Sequence, residues 1–482
     1  MVAMGVLRQA IVRGVLRFIA MLVSMLSGIV LARRLDSSSY ALYQMITRRV
    51  DQLSALPSIV AGFWAYRYSA LGVKGVAKAY MVSVLFSGAI AGSIATALAI
   101  YVGAESWGII ALAAVSGLLW TMFARYNFYA VALRPVFSEL VTSVRRVAYA
   151  VMVFVLVYLA TMGLYGAFIA FMVSSVLGMA LLLRGTKKWL SEVMCRRCLR
   201  EWFRGAYVPT ISWVATMLAA TDAAIVTALG GNYAVAAFFA STVALSMLVE
   251  ILVASLQHLT AYVLRTQDIE TGLRISRVAA FVSAMICGYA IARPESVIAV
   301  MNPIYIPASH ALQIYALVVL VTTIMTPLTQ VISGTDRSRA EKPGKTIVRL
   351  SLSGLISSVI YIAALILALL FQSKLSPVEI WASAFLIRRL TQLALVLRIA
   401  DTSTRRSFLK NSVTRAVLYI AIAYMLSSTL TIPGYAPRFI DNALLLLRNL
   451  ATAAAAYVAI ILTIDSELRG IAMKALTTIL KH

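Results

Sequence analysis

Apolar residues along this chain fall into long unbroken runs, with neither the period of two of a half-buried strand nor the one-sided stripe of a soluble helix. A run of eighteen or more such residues crosses a hydrocarbon core of about 30 Å as a helix. The pattern predicts about fourteen of them, over residues 15–33, 50–71, 80–103, 108–131, 140–160, 162–183, 205–229, 234–263, 275–292, 308–333, 347–371, 376–399, 414–432 and 443–464. The longest polar interval, Arg184–Arg204, holds only about twenty residues and leaves no room for a sizeable water-soluble domain. At the amino terminus Arg8, Arg13 and Arg17 precede FIAMLVSMLSGIVLA, which runs on without an A-x-A cleavage site and reads as a first membrane helix. The expected fold class is an all-α polytopic membrane protein.

An internal echo organises the spans. IVLARRLDSSSYALYQ, after the first, resembles AIVTALGGNYAVAAFFA, after the seventh, and matches Tyr40 to Tyr233 with one gap. Six crossings per repeat would relate two six-helix bundles by an axis along the membrane normal, around a central cleft. Residues 1–183 and 205–400 would then be the two lobes, 184–204 a basic linker, and 401–482 two additional transmembrane helices with a tail. Chance likeness between Ala-rich apolar segments is the competing explanation.

Composition agrees, since 61% of the 482 residues are hydrophobic and 13% charged, against roughly a quarter charged in soluble chains. The net charge of +25 raises nucleic acid as a partner, but the location of the charge argues otherwise. About 33 of the Lys and Arg residues lie at the termini and in alternate loops, against about 8 in the other loops. That asymmetry is the positive-inside pattern of a multi-pass cell-membrane protein with both termini cytoplasmic, adding some attraction to anionic membrane lipid. Three cysteines are too few for a disulfide framework, and Cys195 and Cys198 in CRRC read as two loop thiols without a second pair or a nearby His, with a redox or metal role as the lesser alternative. No metal and no cofactor is expected.

Charges inside the apolar runs carry the candidate chemistry. An ionisable group near mid-bilayer costs at least about 2.5–3.5 kcal/mol on insertion scales, so it faces protein or a watery cavity. Asp222 lies in SWVATMLAATDAAIVTALGGNYAVAAF, Glu250 about halfway along 234–263, and Arg388 with Arg389 about halfway along 376–399. Arg17 and Arg67 lie near span ends, where snorkelling would place them in the headgroups. Asp222 and Glu250 have two open readings, ion pairing that holds helices together and a role in the transport cycle. Adjacent helical residues point about 100° apart, so Arg388 and Arg389 are not expected to face one cleft squarely together. His258 reads as an interfacial histidine. Guanidinium groups sheltered in a cavity favour a phosphate-bearing anion over a cation, because their planar donor fork matches phosphate oxygens.

ARRLDSSSYALYQ, TDAAIVTALGGNYAVAAF and PESVIAVMNPIYIPASHALQIYALVVL followed by ISGTDRSR, in that order, resemble the polysaccharide and oligosaccharide flippases of the multidrug/oligosaccharidyl-lipid/polysaccharide (MOP) exporter superfamily. The resemblance spans essentially the whole chain. It implies a MATE-like fold of two six-helix lobes around a cavity that opens alternately to each side, with a lipid-linked sugar as cargo and Asp222 at the acid position of the seventh helix. Asn302 and Pro303 stand where the family usually carries Gly, and DSSSY lacks its acidic pair.

The resulting expectation is a transporter, not an enzyme: a flippase carrying a lipid-linked oligosaccharide on a polyprenyl or dolichyl phosphate from the cytoplasmic to the outer leaflet. Arg17, Arg67, Arg388 and Arg389 would bind the headgroup, and Asp222 and Glu250 would pair with them or take a coupling H+ or Na+. A cation-coupled drug antiporter of the same superfamily is the near alternative and would need acids to dominate the cavity. An integral-membrane glycosyltransferase is the distant one; its only D-x-D-like pair would be Asp268 and Glu270, in a loop predicted on the inside.

Overall fold

The computed structural model describes residues 56–101, 106–219, 258–301, 303–371, 375–435 and 439–480, with Ala104 and isolated positions within 12–54 and 221–256. Among the described residues the chain is helical without strands, and ten helices are long and apolar enough to cross a membrane. The first part contains α1 (Leu56–Ala70), α2 (Val76–Tyr101), α3 (Trp107–Leu133), α4 (Pro135–Val153) and α5 (Gly163–Gly185). Two short helices follow, α6 (Lys187–Leu190) and α7 (Arg196–Arg204), and then α8 (Tyr207–Ala219) and α9 (Leu259–Thr266). The rest comprises α10 (Ile269–Ala292), α11 (Pro294–Met301), α12 (Ser309–Thr335), α13 (Lys345–Leu370), α14 (Pro377–Ile399), α15 (Thr402–Phe408), α16 (Thr414–Leu430), α17 (Phe439–Ile464) and α18 (Ser466–Leu480). The predicted spans 347–371 and 376–399 match α13 and α14 to within two residues. Those over 15–33 and 234–263 fall mostly outside the described residues, as do Tyr40 and Tyr233 of the internal echo.

Helix ends are set by local chemistry as much as by hydropathy. Ser376 and Glu379 form a capping box with Pro377 at the first turn of α14, and Asp268 accepts from the Thr271 amide at the start of α10. Asp401 begins α15 by accepting from Ser403 and Thr404, and these hydrogen bonds, the Ser403 side chain first, hold its carboxyl down to about 2.

Packing among the described residues falls into two groups. In one, α3 touches α1, α2 and α5, and α4 lies on α5; in the other, α12 packs on α9, α10 and α14 while α13 packs on α8 and α14. The helix-to-helix contact between the groups is made largely by α1, which meets α8 and α9.

The segment expected to be a basic linker is structured and docked. Gly75, at φ +70°, lets the backbone of residues 193–195 lie against it, and the Cys195 amide donates to its carbonyl at 3.2 Å; a Cβ there would collide with the Val193 carbonyl. Cys195 and Cys198 are joined as a disulfide rather than standing as separate thiols, with Cα atoms 5.3 Å apart. Glu201 of α7 accepts from the Tyr68 hydroxyl at 2.7 Å and from Arg197 at 2.6 Å. Burial pushes the Glu201 carboxyl up, but those two donors outweigh it and leave it below the usual range.

The two carboxyl-terminal membrane helices are fastened to the rest of the chain. Helix α16 lies along α10, and a buried charge cluster ties in the end of α17: Arg277 Nε and Arg415 Nη1 each approach Asp465 at 3.5 Å, and the Tyr419 hydroxyl donates to the same carboxylate. Breaking a buried ion pair by removing one partner costs about 3 kcal/mol or more. Arg277→Ala is therefore expected to melt several degrees below wild type when purified in detergent; an unchanged midpoint would show that the cluster does not hold these helices in place.

Candidate functional site

A cavity of about 740 Å³ lies between the two packing groups, within the 300–1,000 Å³ usual for small-molecule sites. Its wall is drawn from α1 (Phe63, Tyr66, Arg67), α3 (Phe128), α8 (Ser212, Ala215, Thr216), α12 (Thr329, Gln330, Ser333), α13 (Ile347, Leu350, Ser351, Gly354) and α14 (Phe385, Arg388, Arg389, Gln392), with Asp222 just beyond α8. Four of the six candidate residues thus border one space: Arg67, Asp222, Arg388 and Arg389. Arg17 and Glu250 lie outside the described residues.

Arg388 and Arg389 both reach the cavity, against the expectation from their 100° separation. The reason is Phe385, three and four residues earlier on α14, where side chains lie over one another. Its ring centroid is 5.6 Å from the Arg388 guanidinium and 5.5 Å from that of Arg389, so two long side chains converge on one aromatic ring. Arg389 also donates to Gln392 at 3.0 Å, and Arg388 lies 5.5 Å from the Tyr361 ring. Arg388 is eleven residues into α14, roughly 16 Å along the helix at 1.5 Å per residue, which puts it near the middle of the crossing.

Two neutral donors hold Asp222 among the described residues. Its Oδ2 accepts from the Tyr361 hydroxyl at 2.7 Å and from Trp381 Nε1 at 3.2 Å, and Trp381 is in turn stacked on Phe238 with centroids 4.0 Å apart. Neither Tyr361 nor Trp381 stood out in the sequence, because both lie in apolar runs where an aromatic residue is ordinary.

Arg67 does not snorkel. It is 1% exposed, and its Nη1 donates to the Ser333 carbonyl at 2.9 Å and to the Ser333 hydroxyl at 3.3 Å. Its Nη2 donates to the Asp336 carbonyl and lies 3.9 Å from the Asp336 carboxylate. The Arg-rich wall therefore carries three guanidinium groups and one carboxylate among the described residues. Among the described residues, the Nε–H of each of Arg67, Arg388 and Arg389 is buried without a hydrogen-bond acceptor. His258 is buried, at 3% exposure. Asp268 and Glu270 are occupied in building α10, the first as its N-cap and the second in an ion pair with Arg274 at 2.6 Å.

No family model and no curated protein matches the chain by sequence. Solved structures do match by shape. A point mutant of a MATE protein superposes with a TM-score of 0.64 at 14% identity, covering 86% of this chain and 96% of its own. An outward-facing multidrug resistance MATE family transporter of the MOP superfamily gives 0.63 at 13% identity, with the same coverage of 86% and 96%. A MOP superfamily transporter from Pyrococcus furiosus, described by a "reverse polarity of binding pocket" that "suggests different function", also gives 0.63 at 13% over 86% and 96%. The chain is a polytopic all-α membrane protein with the fold of the MATE transporters of the MOP superfamily.

Proposed function

We propose that this protein is a transporter that moves a phosphate-bearing, lipid-linked saccharide across a cell membrane, with both termini in the cytoplasm. One observation carries the reading: the cavity wall holds three guanidinium groups whose Nε–H donors lack acceptors, against a single described carboxylate that already accepts from Tyr361 and Trp381. A buried donor left without an acceptor costs about 1–3 kcal/mol, more when the group is charged. A phosphate or diphosphate supplies acceptor oxygens and negative charge in the geometry that a guanidinium fork matches. The remaining wall suits a saccharide. Ser, Thr and Gln side chains offer partners to sugar hydroxyls, and Phe63, Phe128 and Phe385 offer apolar faces. A lipid tail would stay in the bilayer while the headgroup crossed between residues 1–183 and 205–400, the two proposed lobes. With the cytoplasm negative, each negative charge carried outward gains about 2.3 kcal/mol per 100 mV.

A second reading, a cation-coupled drug antiporter, is favoured by the MATE fold and by the Asp222 carboxylate on the cavity wall. The pocket described as reversed in polarity in the Pyrococcus furiosus transporter supports the view that one fold accommodates pockets of different charge.

In proteoliposomes loaded with a fluorescent polyprenyl-diphosphate sugar, Arg388→Ala and Arg389→Ala should each slow translocation about tenfold or more, the equivalent of one lost charge-assisted hydrogen bond. Lysine at either position should restore only part of the rate. Wild-type rates in both alanine variants would remove the assignment. The antiporter reading predicts instead that Asp222→Asn abolishes proton-driven efflux of a cationic dye, whereas the flippase reading predicts no such efflux from the wild-type protein.

A further inference from the structure

One end of the cavity, where the docked segment 184–204 lies, is closed by two arginines that exchange caps between the packing groups. Arg67 of α1 donates to carbonyls of Ser333 and Asp336 at the end of α12, and Arg265 of α9 donates to Ala132 at the end of α3 (2.7 Å) and Ala70 at the end of α1 (3.3 Å). Carbonyls at a helix C-terminus have no partner within the helix and carry the negative end of its dipole, so a cation bridging to them holds two helices together. Apolar contact seals the same seam: Tyr66, Ala70, Val131 and Ala132 on one side pack with Ala261 and Leu264 on the other.

Arg67 has a double position. It is a capping residue of this latch and also part of the cavity wall, with a buried Nε–H that no acceptor satisfies. The free Nε–H alone offers an anion a single donor; a phosphate gripped bidentately takes Nε–H together with an Nη2–H and so competes with the Asp336 carbonyl for Nη2. Arg265 is absent from the cavity wall and has no such second claim on it.

We infer that Arg67 couples the charge of the cargo to the opening of this end of the transporter: it holds either the latch carbonyls or the phosphate of the cargo, so that bound phosphate favours the open latch and latch closure hands the phosphate on to Arg388 and Arg389. This rests on the anionic-cargo reading above. The coupling is reciprocal: a ligand that binds the latch-open state more tightly shifts the population towards it, and the closed latch weakens that ligand's binding by the same factor. The consequence is directional, since a headgroup would be gripped by Arg67 on loading and released from it when the end closes behind.

The test uses the full chain in lipid nanodiscs, with Cys195 and Cys198 replaced by serine and Cys287 by alanine, and spin labels at Lys74→Cys and Arg337→Cys, two exposed positions on opposite sides of the seam. Electron–electron distance measurements read the ratio of latch-closed to latch-open molecules, and calorimetry reads the binding of inorganic pyrophosphate, the probe for the headgroup. Without ligand, Arg67→Ala and Arg265→Ala should each raise the long-distance fraction, shifting the ratio about tenfold. Pyrophosphate should lengthen the distance in the labelled parent and in Arg265→Ala, but cause no further change in Arg67→Ala, where it still binds through Arg388 and Arg389. An unchanged distance in both ligand-free alanine variants overturns the latch. Pyrophosphate that binds without moving the ratio, or that moves it equally in Arg67→Ala, overturns the coupling and leaves the cargo reading standing. Absence of pyrophosphate binding to the parent and to Arg265→Ala overturns the cargo reading and the coupling together.

Discussion

A guanidinium group carried into the interior of a membrane protein must be given acceptors, and how each is satisfied decides what the rest of the molecule does. Three solutions coexist here. Arg277 and Arg415 meet the buried carboxylate of Asp465 and fasten the last membrane helices to α10. Arg67 and Arg265 meet backbone carbonyls at helix ends and close one end of the central space. Arg388 and Arg389 meet mainly an aromatic ring and an amide, which leaves their charge open to the cavity. A cation over an aromatic face gains about 0.5–2 kcal/mol, less than the desolvation of a buried ion, so the last pair is the one a soluble anion would relieve.

Much of this was legible in the sequence, for physical reasons. Runs of apolar residues report membrane crossings because unsatisfied backbone in hydrocarbon is so costly that the chain must remain helical from one headgroup region to the other. Charges within those runs stand out because they are expensive, and Asp222, Arg67, Arg388 and Arg389 were visible for that reason. Their partners were not. Tyr361 and Trp381 lie in apolar stretches where aromatic residues are common, and the acceptors of Arg67 and Arg265 are largely backbone carbonyls, which carry no residue signature. For Arg67 a position near a span end left snorkelling open, whereas its guanidinium is buried against Ser333 and Asp336. The convergence of Arg388 and Arg389 was missed by reasoning on Cβ direction alone, when a long side chain on either residue reaches back over Phe385.

The basic linker 184–204 shows what composition leaves unread. Its docking rests on contacts of Glu201 and Gly75, and at its end the Trp64 indole donates to the Gly205 carbonyl at 3.0 Å while Arg204 pairs with Glu341 at 2.8 Å across to the loop before α13. Those contacts join residues far apart in the chain, so no local pattern announces them. They gather at the same end as the Arg67 and Arg265 caps and add to its closure.

The central claim is that the cationic wall of the cavity is the binding site of a phosphate group. Electron cryo-microscopy of the protein in nanodiscs with a polyprenyl-diphosphate sugar tests it most directly. The account predicts density for phosphate within about 3 Å of the Arg388 and Arg389 donors, the ordinary length of a charge-assisted hydrogen bond. A map in which both guanidinium groups are paired with protein carboxylates, and the diphosphate lies outside this cavity, would contradict it.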